Sequence, residues 1–243
     1  MTSDYVSLQK LLSTCYSLSS QACGIIRSVQ ARREEQGATA LNATLKDKND
    51  SRTYLTEADT AAQELIWNGL RTVFGSKLNI VGEEDAIEEE KNWTIKEESV
   101  ADVLNRYDIP IDLQNLVFSD VIVFIDPVDG TREFVEGRLD ACQNLIGISY
   151  RGRAVAGIVG LPFTRYWGEI IVDNCVLFIY LGKALVMMNQ QYVVEILKHK
   201  SYLALLVPQM VFMVFLIVRT TVLLKNLSWS LEYLLILEKR NQH

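Results

Sequence analysis

Near the start of the chain, apolar positions recur in steps of three and four: Leu8, Leu11, Leu12, Cys15, Leu18, Ala22, Ile25, Ile26 and Val29. That spacing lines one stripe of a helix, so a long amphipathic first helix is predicted, closing at Gly37. Polar residues from Asn42 to Arg52 read as a loop. Thr56, with Asp59 three residues on, has the form of an N-cap followed by an acid in the first turn, and a second helix is predicted over Glu57–Phe74. The pattern then changes. Leu78–Val81 is a short apolar run entering Gly82, and Val121–Ile125 is wholly apolar and ends at Asp126 and Pro127; both read as buried strands. Leu145–Tyr150 and Ala154–Val159 flank Arg151-Gly152-Arg153 and read as a hairpin, with Tyr166–Val172 as a further strand. Glu83–Arg106 is densely charged with sparse anchors such as Trp93 and Val100, and reads as a solvated excursion carrying one helix. Helices and strands in mixed order point to the α/β class, arranged as a layered α+β sandwich.

Composition divides the chain near residue 170. The whole has 243 residues and a net charge of −6, but residues 1–169 hold 26 of the 30 acids, 17 of the 24 bases and 12 of the 13 glycines. Residues 170–243 keep four acids and one glycine, and 46 of their 74 residues are apolar. Two units are therefore expected: a domain over 1–169 and a divergent apolar tail over 170–243, whose turn-forming residues are nearly absent. Within the tail, Tyr202–Val218 carries no charge and lies between Lys198-His199-Lys200 and Arg219. Its length suits a membrane span at the lower limit, a buried helix equally, or the product of an altered reading frame, with membrane contact the minority reading. The acidic balance argues against a nucleic-acid partner, which calls for clustered cations. Cys15, Cys23, Cys142 and Cys175 form no CxxC pair and lie far from His199 and His243, which argues against a structural zinc or a disulfide framework. Met1–Lys10 lacks the basic and apolar regions of a secretory signal, so a cytoplasmic location is the expectation.

The densest chemistry lies in Asp126-Pro127-Val128-Asp129-Gly130-Thr131, at the end of an apolar strand. Two carboxylates with the Val128 carbonyl between them offer oxygens to a hard dication such as Mg²⁺. Gly130 allows backbone conformations closed to other residues, and a helix starting near Thr131 would turn free N–H groups toward a phosphate. Glu83-Glu84-Asp85 follows the other short strand. Carboxylates gathered at neighbouring strand ends raise one another's pKa unless a cation offsets them, which is itself an argument for metal. Glu88, Glu89 and Glu90, by contrast, read as an ordinary solvated run. Neither a G-x-S-x-G elbow nor a His in the first 169 residues supports a Ser, Cys or His nucleophile.

Leu55-Thr56-Glu57-Ala58-Asp59, Ile80-Val81-Gly82-Glu83-Glu84-Asp85 and Asp126 through Gly137 resemble the inositol monophosphatase-like superfamily of metal-dependent phosphatases. Within it, Asp126-Pro127-Val128-Asp129-Gly130-Thr131-Arg132-Glu133-Phe134-Val135-Glu136-Gly137 is most similar to the 3′(2′),5′-bisphosphate nucleotidases, and the long insertion between the two acidic motifs suits that branch. The resemblance covers roughly residues 5–170. It implies an Mg²⁺-dependent phosphomonoesterase that removes the 3′-phosphate of adenosine 3′,5′-bisphosphate. Glu83, Asp126, Val128 (through its carbonyl) and Asp129 would be metal ligands, Asp59 and Thr131 the pair that deprotonates the attacking water, and Gly130 with Thr131 would contact the substrate. An inositol phosphate is the alternative substrate, and an inactive fragment retaining only metal binding or membrane association is the third reading. Members of the superfamily complete the site from a C-terminal half in which a Trp-Asp pair supplies another metal-binding Asp. Here the four Trp are followed by Asn68, Thr94, Gly168 and Ser230, so a missing or aberrant C-terminal domain is expected, and reduced activity with it.

Overall fold

The computed structural model describes residues 4–46, 54–84, 109–163, 175–180, 183–188 and 192–194. A short strand β1 (Tyr5–Ser7) leads directly into helix α1 (Leu8–Gln36), whose start is capped by the Ser7 side chain accepting the Lys10 N–H at 3.3 Å. The apolar stripe is the buried face: Leu8, Leu11, Leu12, Cys15, Leu18, Ala22, Ile26 and Val29 are all in the core. The helix closes as expected at Gly37, whose N–H reaches the Arg33 carbonyl at 2.8 Å. The loop expected over Asn42–Arg52 begins instead with a small strand, β2 (Thr44–Leu45), paired antiparallel with β3 (Tyr54–Leu55). Helix α2 (Glu57–Phe74) has the predicted bounds and buries Leu65, Ile66 and Leu70, each worth about 1.5–3 kcal/mol relative to exposure.

Both long helices pack on one another and on the same sheet, α1 over its middle strands and α2 over the strands that carry the acidic motifs. That sheet has β4 (Asn79–Gly82) at one edge, followed by β6 (Val121–Asp129), β7 (Gln143–Tyr150) and β8 (Arg153–Leu161). β4 and β6 run parallel, whereas the other neighbours are antiparallel, so the architecture is an α+β sandwich. Between β4 and β6 come a one-turn helix α3 (Ile111–Gln114) and strand β5 (Asn115–Val117), which pairs with β1 away from the main sheet. After β6 comes the short helix α4 (Thr131–Glu136). β7 and β8 form the predicted hairpin. Its two turn residues, Arg151 and Gly152, have φ of 51° and 74°, the pair of positive angles that a type I′ turn needs.

Two differences from the sequence reading bear on the site. The β6 strand does not end at Asp126 but runs through Asp129, with an irregularity in the ladder between those two residues. Pro127 has no N–H to give and reads as a stop, yet Asp126 still faces Leu145 and Asp129 resumes pairing opposite Gln143. The sheet also continues past residue 170: β9 (Cys175–Tyr180) adds to β8, then β10 (Lys183–Met188) and β11 (Tyr192–Val194) follow antiparallel. The charged excursion, the strand expected over Tyr166–Val172 and the Tyr202–Val218 run lie outside the described residues. Among the described residues no helix is long and apolar enough to cross a membrane.

A buried polar knot ties α1 to the sheet. Ser19 Oγ donates to Asn144 Oδ1 at 2.7 Å, and Asn144 Nδ2 donates to the Ser19 carbonyl at 3.3 Å and to Cys23 Sγ at 3.1 Å. Fully satisfied groups of this kind fix the register of helix on sheet at little net cost.

Candidate active site

The parallel pairing of β4 with β6 brings the two acidic motifs to one sheet end. Gly82 stands opposite Ile125, and the next residue's N–H, that of Glu83, donates to the Ile125 carbonyl at 2.9 Å. Glu83 and Asp126 thus emerge side by side, although they are far apart in the sequence. Gln63 of α2 clamps the exit from β4, its Oε1 accepting the Glu84 N–H at 3.1 Å and its Nε2 donating to the Glu84 carbonyl at 3.2 Å.

Asp59 reaches the same place from the first turn of α2. Its local geometry is a capping arrangement: the Thr56 N–H and hydroxyl donate to Asp59 Oδ2 at 2.8 and 2.5 Å. Its other oxygen, Oδ1, lies 2.8 Å from the Thr131 hydroxyl, which is also 2.8 Å from the Val128 carbonyl. A hydroxyl has one proton, so Thr131 can donate to only one of these acceptors at a time. Burial pushes the Asp59 carboxyl above its ordinary range, against the hydrogen bonds from Thr56 and Thr131 and the charge of Lys46.

Asp126 lies deeper in the cluster of acids than Asp129. It is 8% exposed, and burial together with the charges of Glu83, Asp129 and Asp59 holds its carboxyl well above the usual range. Among the described residues its Oδ1 has no hydrogen-bond partner. Asp129 is raised too, first by burial, although Gln143 Nε2 donates to its Oδ2 at 2.8 Å. Between them Val128 is buried, its carbonyl turned to Thr131. Gly130 has φ of +85°, and a Cβ there would lie 2.9 Å from the Ala141 carbonyl oxygen, so the turn from β6 into α4 accepts no side chain. From the far side, Arg33 of α1 donates to the Phe134 and Val135 carbonyls at 2.7 and 3.0 Å, fixing the end of α4 and hence the place of Thr131.

A buried carboxyl oxygen with no donor, raised neighbouring acids and a backbone carbonyl make a donor set of hard oxygens that fits a dication such as Mg²⁺. Even so, among the described residues no three acidic, Cys or His side chains stand as a group ready to hold a metal ion. Glu83, beside Asp126, is also paired with a cation: Lys46 Nζ lies 2.9 Å from its Oε1 and 2.7 Å from Glu84 Oε1. Burial raises the Glu84 carboxyl against that contact. Half-burial disfavours the Lys46 charge, but its bonds to Glu84 and Glu83 outweigh this and hold the ammonium above its ordinary value.

Seven residues singled out from the sequence, Asp59, Glu83, Asp126, Val128, Asp129, Gly130 and Thr131, therefore occupy one end of the sheet. The sequence reading missed Lys46, Gln63, Gln143 and Arg33. None of them belongs to a motif, and each acts across a contact between distant elements. Gln143 alone is placed by a strand the sequence discloses, since it lies two residues before the apolar run Leu145–Tyr150.

The model of the inositol monophosphatase family matches residues 7–192, and the chain belongs to that family. The human 3′(2′),5′-bisphosphate nucleotidase 1 is 33% identical over 166 residues, 68% of this chain and 51% of that protein. The Dictyostelium discoideum protein of the same name is 34% identical over 174 residues, 70% of this chain and 51% of its own length. This chain spans about half the length of the curated relatives it matches. Of solved structures, the extragenic suppressor protein suhB from Bartonella henselae covers 74% of this chain and 52% of its own at 19% identity, with a TM-score of 0.47.

Proposed function

We propose that this chain carries the site of an Mg²⁺-dependent phosphomonoesterase that removes the 3′-phosphate of adenosine 3′,5′-bisphosphate. The observation that carries the reading is the buried contact of Asp59 with Thr131, set beside Asp126, Val128 and Asp129 at one sheet end. Identity to two bisphosphate nucleotidases supports the choice of substrate. Among the described residues Cys15, Cys23 and Cys142 are buried and outside any disulfide, which supports a reducing compartment such as the cytosol.

Glu83, Asp126, Asp129 and the Val128 carbonyl would hold the metal. When bound, Mg²⁺ supplies Lewis acidity, favouring loss of a proton from water and offsetting phosphoryl charge. The rest falls to the chain itself. Asp59 holds the Thr131 hydroxyl by its own proton, which leaves the Thr131 oxygen free to accept a proton from an attacking water. The raised affinity of the buried Asp59 for a proton suits it to receive what Thr131 passes on. Gln143 holds the Asp129 carboxylate through its amide, and on this reading the Gly130 turn and the first N–H groups of α4 would contact the phosphoryl oxygens.

Turnover of adenosine 3′,5′-bisphosphate and of inositol 1-phosphate by the full chain, side by side with Mg²⁺, tests this. Faster release from the nucleotide, lost in Asp59→Asn and reduced in Thr131→Val, is the expected result. Faster release from inositol phosphate would move the assignment to that substrate. Metal binding in calorimetry with no release from either would favour the reading of an inactive domain.

A further inference from the structure

Lys46 directly follows β2, and its side chain crosses to the exit of β4. There, among the described residues, its ammonium is the one that faces Glu83 and Glu84, with the Asp59 charge also within its reach and Asp126 beside Glu83. Among the described residues, one positive charge against these acids leaves the cluster under-neutralised. Asp126 shows this, since, 8% exposed, it aims into the same place an Oδ1 with no partner among the described residues. Lys46 meanwhile spends two of its three protons on Glu83 and Glu84.

We propose that Lys46 is a tethered counter-ion that occupies Glu83 in the metal-free protein and must let go of it before a dication binds, so that it sets the metal affinity of the site. The proposal rests on the reading of Glu83 and Asp126 as dication ligands. Two consequences follow from charge. An ammonium on a ligand carboxylate repels an incoming dication and withholds one of its donors, both of which weaken binding. It also holds the acids together without metal, where bare carboxylates would repel one another. The ion pair holds Glu83 Oε1 on Lys46 although Glu83 stands beside Asp126, in keeping with the lack of a ready-made group of three among the described residues.

Calorimetric titration of the full chain with Mn²⁺, together with its melting temperature in chelator and in Mn²⁺, tests the proposal in wild type, Lys46→Gln and Lys46→Arg. Lys46→Gln is expected to bind Mn²⁺ about tenfold more tightly, to melt lower than wild type in chelator and to recover in Mn²⁺. Lys46→Arg keeps the charge and is expected to stay within about threefold of wild type. Equal or weaker Mn²⁺ binding by Lys46→Gln, with wild type binding normally, would overturn the role of Lys46 and leave the metal reading standing. No binding by any of the three would overturn the metal reading itself, and the role of Lys46 with it.

Discussion

Replacing Thr131 by Val keeps the shape of the side chain and removes one hydroxyl from between two buried acceptors, Asp59 Oδ1 and the Val128 carbonyl, each 2.8 Å away. Asp59 is fully buried, so no water replaces the lost donor, and only Thr56 continues to serve its other oxygen. A hydrogen bond to a charged acceptor is worth about 1.5–3 kcal/mol, and for a chain of this size that lowers the melting temperature by roughly 3–10 °C. The effect has a definite pH dependence. Burial already raises Asp59 above its unfolded value, so its charged form costs stability as pH rises through the folded pKa. The Thr131 hydrogen bond opposes that shift, and its loss raises Asp59 further. The deficit of Thr131→Val is therefore greatest near neutral pH and shrinks below about pH 3, where Asp59 is protonated both folded and unfolded. Thermal unfolding followed by circular dichroism across that range, with Thr131→Ser as the control that keeps the hydroxyl, measures it. A melting temperature within about 1 °C of wild type at neutral pH, or a deficit that grows in acid, would refute the reasoning.

Gln143→Ala removes the amide that donates to Asp129 and is expected to weaken Mn²⁺ binding by about tenfold in calorimetry, with little change in the melting temperature of the metal-free protein. Gly160→Ala places a Cβ 2.4 Å from Asn144 Nδ2, 2.6 Å from Ser19 Oγ and 2.7 Å from Cys23 Sγ, inside the knot between α1 and the sheet. It is expected to cost about 1–3 kcal/mol in chemical denaturation. Burial pushes the Cys15 and Cys142 thiols up to about 12, so both are expected to resist iodoacetamide in the native protein and to react on unfolding, as peptide mass spectrometry would show.

What the sequence discloses is local. The bounds of α2 are legible because Thr56 and Asp59 form their capping contacts three residues apart, and α1 is legible because its stripe and Gly37 belong to one continuous segment. The Arg151-Gly152 turn is likewise decided by adjacent residues. The extension of β6 through Pro127 is not legible, since the partner strand β7 maintains the ladder across a residue that alone signals a break. The same distinction runs through the site. Asp126 and Asp129 lie in one motif, and Asp59 and Glu83 in two others, so their chemistry could be read. That Lys46 meets Glu83 and Glu84, or that Arg33 holds the end of α4, depends on side chains brought together by β-pairing and helix packing, which leave no periodic trace.

The most direct test is release of inorganic phosphate from adenosine 3′,5′-bisphosphate by the purified full chain with Mg²⁺, wild type against Asp126→Asn. Asparagine keeps the size of the buried side chain and removes the charge that would hold the metal, so Mg²⁺-dependent release by wild type and a loss of at least about a hundredfold in the variant are expected. Release that persists in Asp126→Asn, or that ignores Mg²⁺, would contradict a phosphatase site built at the ends of β4 and β6.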